Sequence, residues 1–149
     1  MQVAVIEFAR HVCGLEGANS SEFDENASHK VIYIIPGQEG KEGSGGTMRL
    51  GAYPCKITEG TLLERLYGAG IIHERHRHRY EFNNGYYEDL NKKGLVISGA
   101  SLDGGLVEAV ELPDNNFYLG VQFHPEFKSR PNKPHPLFLG LVKAAARQK

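Results

Sequence analysis

The sequence has no apolar run of about 18 residues, the length a membrane-spanning helix needs, so no such helix is expected. Charge of one sign is also missing. The net charge is −1 over 149 residues, which gives no overall basic field for nucleic acid. Cysteine is scarce. Cys13 and Cys55 both sit in apolar surroundings and read as reduced core thiols of a cytosolic protein. The opening Met1-Gln2-Val3-Ala4-Val5-Ile6-Glu7 has no basic start and breaks its apolar run at Glu7, which argues against a standard signal peptide. A convincing nucleophile is lacking as well. An elbow that presents one wants small residues on both sides, two positions before and two after. Cys13 lies on an apolar helix face and Cys55 stands between Pro54 and Lys56.

What is present is one domain's worth of alternating strand and helix patterns. Val3, Ile6, Ala9, Val12 and Cys13 recur at helical spacing, with Gly14 as the expected C-cap. No cap precedes that helix, so the domain is expected to begin upstream. Residues 18–24 read as a polar loop. Val31-Ile32-Tyr33-Ile34-Ile35 reads as a strand buried on both faces, ended by Pro36. The stretch 37–46 reads as a mobile surface loop. Met48, Leu50 and Ala52 alternate with Thr47, Arg49 and Gly51 as a half-buried strand. A short helix over 61–67 closes at Gly68, and residues 71–82 alternate again. A second short helix over 86–93 stops at Gly94. Strands follow at 95–98, 106–112 and 117–123, and a last helix runs from Leu137 to about Arg147. The expected architecture is an α/β layered sheet with an antiparallel excursion.

Two clusters carry chemistry. In Gln122-Phe123-His124-Pro125-Glu126-Phe127, a histidine and a carboxylate stand two residues apart directly after an apolar strand. The pair supplies a general base and the group that fixes its tautomer, which suits an activated thiol or hydroxyl. A structural histidine beside a surface glutamate is the competing reading. In Glu74-Arg75-His76-Arg77-His78-Arg79-Tyr80-Glu81, a strand would put the arginines on one face and His76, His78 and Tyr80 on the other. Three guanidiniums suit an anionic ligand. A charge-protected edge strand is the alternative. Metal binding through His76 and His78 is disfavoured by the flanking arginines. Gly45-Gly46-Thr47-Met48-Arg49-Leu50-Gly51 lacks the spacing of a phosphate loop and reads as a turn into a strand.

Taken together, G-G-T-M-R-L-G at 45–51, E-R-H-R-H-R-Y-E at 74–81 and F-H-P-E-F at 123–127 resemble the glutaminase domain of the CTP synthases. So do Met1-Gln2-Val3-Ala4 and Asn19-Ser20-Ser21-Glu22-Phe23. F-H-P-E-F alone would indicate only the wider class I glutamine amidotransferases. The resemblance implies a three-layer class I amidotransferase (flavodoxin-like) sheet, incomplete on its N-terminal side, with residues 1–149 as the C-terminal portion of the domain. It implies His124 as general base and Glu126 as its orienting carboxylate. It also implies that Glu22 meets the α-ammonium of glutamine and Arg79 its α-carboxylate, with Gln2 lining the site. The family carries its nucleophilic cysteine in a G-I-C-L-G-M-Q-like segment, of which only the closing M-Q is present here. No cofactor is expected in this stretch. ATP and magnesium belong to a synthetase domain that is absent, GTP acts as activator, and the family enzyme is a cytoplasmic homotetramer. Without the first strands of the sheet, a strand edge and the 31–35 face are expected to lie uncovered.

Overall fold

A computed structural model describes residues 1–34 and 48–147. Its elements run α1 (Gln2–His11), β1 (Ala18–Ser20), β2 (His29–Ile34), β3 (Arg49–Ile57), α2 (Leu62–Tyr67), β4 (Ile71–His78), β5 (Tyr80–Phe82), α3 (Tyr87–Lys92), β6 (Val96–Ala100), β7 (Val107–Glu111), β8 (Leu119–Val121) and α4 (Pro136–Ala146). The strands form two sheets. One has the order β1-β2-β5, with β1 and β2 parallel; the other is antiparallel in the order β4-β3-β6-β7-β8. The expected loop at 37–46 and the first residues of the glycine motif at 45–47 lie outside the described residues, as does Ile35.

Local chemistry explains several elements. Thr61 caps α2 by accepting from the Glu64 amide, and Gly68 ends it at φ 65, a left-handed conformation that glycine adopts without cost. The Glu111 carboxylate accepts from the amides of Leu62 and Leu63 at 2.9 and 3.3 Å, satisfying donors that a helix start leaves open. His135 caps α4 through Leu137 N, with Pro136 in the first turn where its missing N–H is harmless.

Apolar burial forms two clusters. Val5, Ile6, Phe8 and Ala9 of α1 pack with Val31, Ile32, Phe82, Leu90, Leu95 and Val110. Cys55, Ile57, Leu63, Ile72, Phe123 and Leu137 form the second.

The structure departs from the sequence reading in several places. The buried face of α1 is turned: Val3 is 63% exposed and Val12 48%, while Val5 and Phe8 point inward. The helix ends at Val12, not at Gly14, although Gly14 does take φ 70 just beyond it. Residues 18–20 are not loop but β1, which completes a parallel pair with β2. In β3 the alternation has the opposite sense. Leu50 is 63% exposed, and the Arg49 guanidinium turns inward because buried Glu108 pairs with it. Lastly, the described part of the face expected to lie uncovered is not bare at Val31 and Ile32, which α1, Phe82 and Leu90 help to bury completely.

The expected single strand over 71–82 is two strands. Burial alternates strictly through β4, with Ile72, Glu74, His76 and His78 inside and Ile71, His73, Arg75 and Arg77 outside. β4 pairs with β3, whereas β5 pairs with β2, so the chain passes from one sheet to the other at Arg79. That crossover forms part of the wall of the groove described next.

Candidate active site

β8 delivers His124. Gln122 N donates to Glu108 O at 2.8 Å, extending the β7–β8 pairing, and Phe123 is buried in the second core cluster. The chain then leaves the sheet. His124 N donates to Arg75 O at 2.8 Å, and Pro125–Phe127 forms one 3₁₀ turn. The turn folds Glu126 back, so that His124 Nδ1 and Glu126 Oε1 are 2.7 Å apart. The Phe127 ring stacks on the imidazole at 5.1 Å between centroids and 25° between planes. Slight burial raises the Glu126 pKa, but bonds from its own backbone and from His124 outweigh that and hold the carboxyl below its ordinary range. An ionised Glu126 on Nδ1 leaves Nε2 as the nitrogen free to exchange a proton.

His124 opens onto a groove of about 820 Å³. Gln2, Glu22 and Arg79 line the same groove; Glu126 does not, and reaches it through His124. Four of the five residues singled out from sequence therefore meet in one cavity, and the fifth stands one hydrogen bond away. Gln2, at the start of α1, donates from Nε2 to Tyr80 O at 3.0 Å. Glu22 is exposed in the turn after β1, where its amide bonds Ser20 Oγ at 3.2 Å. Arg79 sits at the sheet crossover, half-buried, and its Nε is buried without a hydrogen-bond partner. Arg77 lines the groove too, whereas Arg75 lines a separate cavity with Lys128 and Arg130. The expected run of three arginines on one face is thus divided.

Neither cysteine reaches the groove. Cys55 is fully buried, and burial together with nearby Glu108 pushes its thiol up to about 12. Desolvation raises Cys13 as well. No serine, threonine or cysteine is among the described residues that line the cavity.

The sequence reading missed a buried polar network behind the groove. Arg49 pairs with Glu108, which is 0% exposed, and the same guanidinium lies over the Tyr53 ring at 4.5 Å. His76 Nδ1 and His78 Nε2 are 2.9 Å apart, and His78 Nδ1 reaches Glu81 at 3.0 Å. The signal for this was present: two glutamates inside the apolar strand Val107-Glu108-Ala109-Val110-Glu111 need buried partners. Ligand atoms of His76, His78 and Glu108 fall within 4.8 Å of one another. Arg49 already neutralises Glu108 and the imidazoles bond each other, so the cluster works as a structural brace.

Burial, then the charges of Arg49 and His78, depress the His76 pKa from 6.5 to about 3. The folded state therefore refuses a proton that the unfolded chain accepts at 6.5, and stability falls as pH drops from 6.5 towards 3. Between pH 6.5 and 4.5 the expected loss is about 2 kcal/mol. His76→Phe should flatten that part of a urea-denaturation series against pH. An unchanged slope would show that other groups set it.

The match to known proteins is extensive. The family described as Glutamine amidotransferase class-I matches residues 1–144. The chain is 59% identical over 148 residues to the CTP synthase of Moorella thermoacetica, covering 99% of this chain and 28% of that protein. It is 63% identical over 144 residues to the CTP synthase of Rubrobacter xylanophilus, covering 97% and 26%. The chain thus spans about a quarter of the length of these curated relatives. Among solved structures, the Trypanosoma brucei CTPS glutaminase domain with bound acivicin superposes with a TM-score of 0.92 at 44% identity, covering 99% of this chain and 57% of that one. The mixed α/β architecture is accordingly that of this fold. With the His124–Glu126 pair, the shared groove and a family match over residues 1–144 in agreement, the chain belongs to the class I glutamine amidotransferases.

Proposed function

We propose that this chain is the C-terminal portion of the glutaminase domain of a CTP synthase, the part that holds glutamine and supplies the base for its hydrolysis. The observation that carries this is the convergence of Gln2, Glu22, Arg79 and His124 on one groove. Arg79 offers a planar donor to the substrate α-carboxylate, and its buried, unpartnered Nε suits a ligand oxygen. Glu22 offers a carboxylate to the α-ammonium. Anchored at both charges, glutamine presents its side-chain amide towards His124.

In the reaction, a cysteine thiolate attacks the amide carbonyl. His124 accepts the thiol proton and passes it to the departing ammonia, while Glu126 holds the imidazole and stabilises its cation. Cys13 and Cys55 do not serve, so the thiol has to come from residues outside these 149. The ammonia is then used by a synthetase domain that aminates UTP at the expense of ATP with magnesium. GTP as activator, a homotetrameric assembly and a cytoplasmic setting complete the proposal. Among the described residues, no helix is long and apolar enough to cross a membrane.

A second reading keeps only binding: a standalone module that retains the glutamine or nucleotide pocket without chemistry. The absence of a nucleophile among the described groove residues favours it for the 149-residue polypeptide by itself. Calorimetry tests what both readings share. L-glutamine is expected to bind, and Arg79→Ala to weaken it by about 2 kcal/mol, the scale of a charge-assisted hydrogen bond. No heat with the unaltered chain at millimolar glutamine would remove both.

A further inference from the structure

The carbonyl oxygen of Tyr80 is a point of convergence. Gln122 Nε2 donates to it at 2.7 Å and Gln2 Nε2 at 3.0 Å, while His78 Nδ1 lies 3.3 Å away. These side chains come from the end of β8, the start of α1 and the end of β4. A carbonyl has two lone pairs, so this acceptor is fully used. Tyr80 directly follows Arg79, the residue at which the chain leaves one sheet for the other.

Gln122 is the centre of this arrangement. It is 6% exposed, and its backbone is fixed by the bond to Glu108 O. Beyond Tyr80 O, its Nε2 lies 3.0 Å from His78 Nδ1 and 3.4 Å from Glu81 Oε2, and its Oε1 stands 3.5 Å from the Gln2 amide. It is also two residues before His124. One amide thus ties the strand that delivers the general base to the crossover that presents Arg79 and to the Gln2 side chain on the groove wall.

We propose that Gln122 is a positioning residue for the substrate carboxylate: by pinning the Tyr80 carbonyl together with Gln2, it fixes the sheet crossover and so aims the Arg79 guanidinium into the groove. This rests on the reading of the groove as a glutamine site. The physical need is clear. A two-strand crossover has no ladder of its own to hold it, and a long arginine side chain gains orientation only from the backbone that carries it. A grip set within a fraction of an ångström needs a rigid support behind it. A bystander amide would fill space and satisfy itself; this one spends both ends on residues that line the cavity.

Gln122→Met keeps length and volume but removes the donor. Two measurements on the 149-residue chain decide the matter. Hydrogen exchange at the amides of residues 79–82 is expected to speed up about tenfold relative to β7, equal to about 1.4 kcal/mol or one buried hydrogen bond. Calorimetry should show glutamine binding weakened about tenfold, and binding of its α-amide, which lacks the carboxylate, unchanged. The preference for the free acid then collapses. Equal exchange in both proteins, or uniform acceleration that includes β7 with both ligands weakened alike, would overturn the proposal in favour of a purely structural role. If the unaltered chain binds no glutamine, the glutamine reading fails, while the exchange data still decide whether Gln122 pins the crossover. Gln122→Asn, which shortens the amide without removing it, provides a milder form of the same comparison should the Met variant not fold.

Discussion

The 149-residue polypeptide should release glutamate from glutamine at a rate about 10⁴- to 10⁶-fold below that of a complete glutaminase, the scale seen when a catalytic triad loses its nucleophile. His124 and Glu126, the proposed base and its orienting carboxylate, stand 2.7 Å apart. The described groove residues, however, include no cysteine thiol and no serine or threonine hydroxyl for His124 to activate. The two thiols in the chain are unsuited. At neutral pH a thiol with pKa about 12 has negligible thiolate, and Cys55 is also walled into the core by Leu63 and Ile72. Cys13 is raised by desolvation and packs against the first core cluster. A coupled glutamate dehydrogenase assay on the purified chain makes the measurement. Turnover approaching that of a full-length relative would mean that another group in the chain attacks the amide, and the roles assigned to His124 and Glu126 would need redrawing. Cys13→Ser and Cys55→Ser should leave the residual rate unchanged.

The second large effect concerns the ion pair behind the groove. Glu108→Leu is expected to destabilise the fold by about 3–5 kcal/mol, because it leaves the Arg49 guanidinium enclosed with no counter-charge. Arg49→Met should cost clearly less. Burial already raises the Glu108 pKa, against the pull of Arg49, so the carboxyl can take a proton once its partner is gone. A guanidinium has no such escape. The double variant should recover much of the loss, since an apolar pair of similar volume does not carry the desolvation cost of the ions. Urea midpoints at pH 7 for the three variants read this directly. Equal losses in the two single variants would sink the asymmetry.

The proposed catalytic pair was legible in the sequence because its chemistry is local. His124, Pro125 and Glu126 are close in the chain, and a single 3₁₀ turn closes the contact. Short helices were legible for the same reason, with Thr61 and Gly68 bracketing α2. What failed depended on distant partners. Leu50 looked like a core residue and Arg49 like a surface one, yet a glutamate 59 positions away reverses the strand's faces. The alternation expected over 71–82 holds through 71–78 and breaks at Arg79, because periodicity says which face is buried and not which strand is the neighbour. The change of partner at Arg79 could not be seen. β1 has only three residues and is strand chiefly because β2 runs beside it.

β4 is an edge strand of its sheet, and an edge strand with open carbonyls invites pairing with another chain. Its outward carbonyls at His73 and Arg75 are taken by the Lys128 ammonium and the His124 amide, both from the segment that carries the proposed base. The same stretch that would perform the proton transfer thus shields the molecule against aggregation. Variants that loosen 124–128 are therefore expected to lose solubility together with function, and selection for either property would preserve the other.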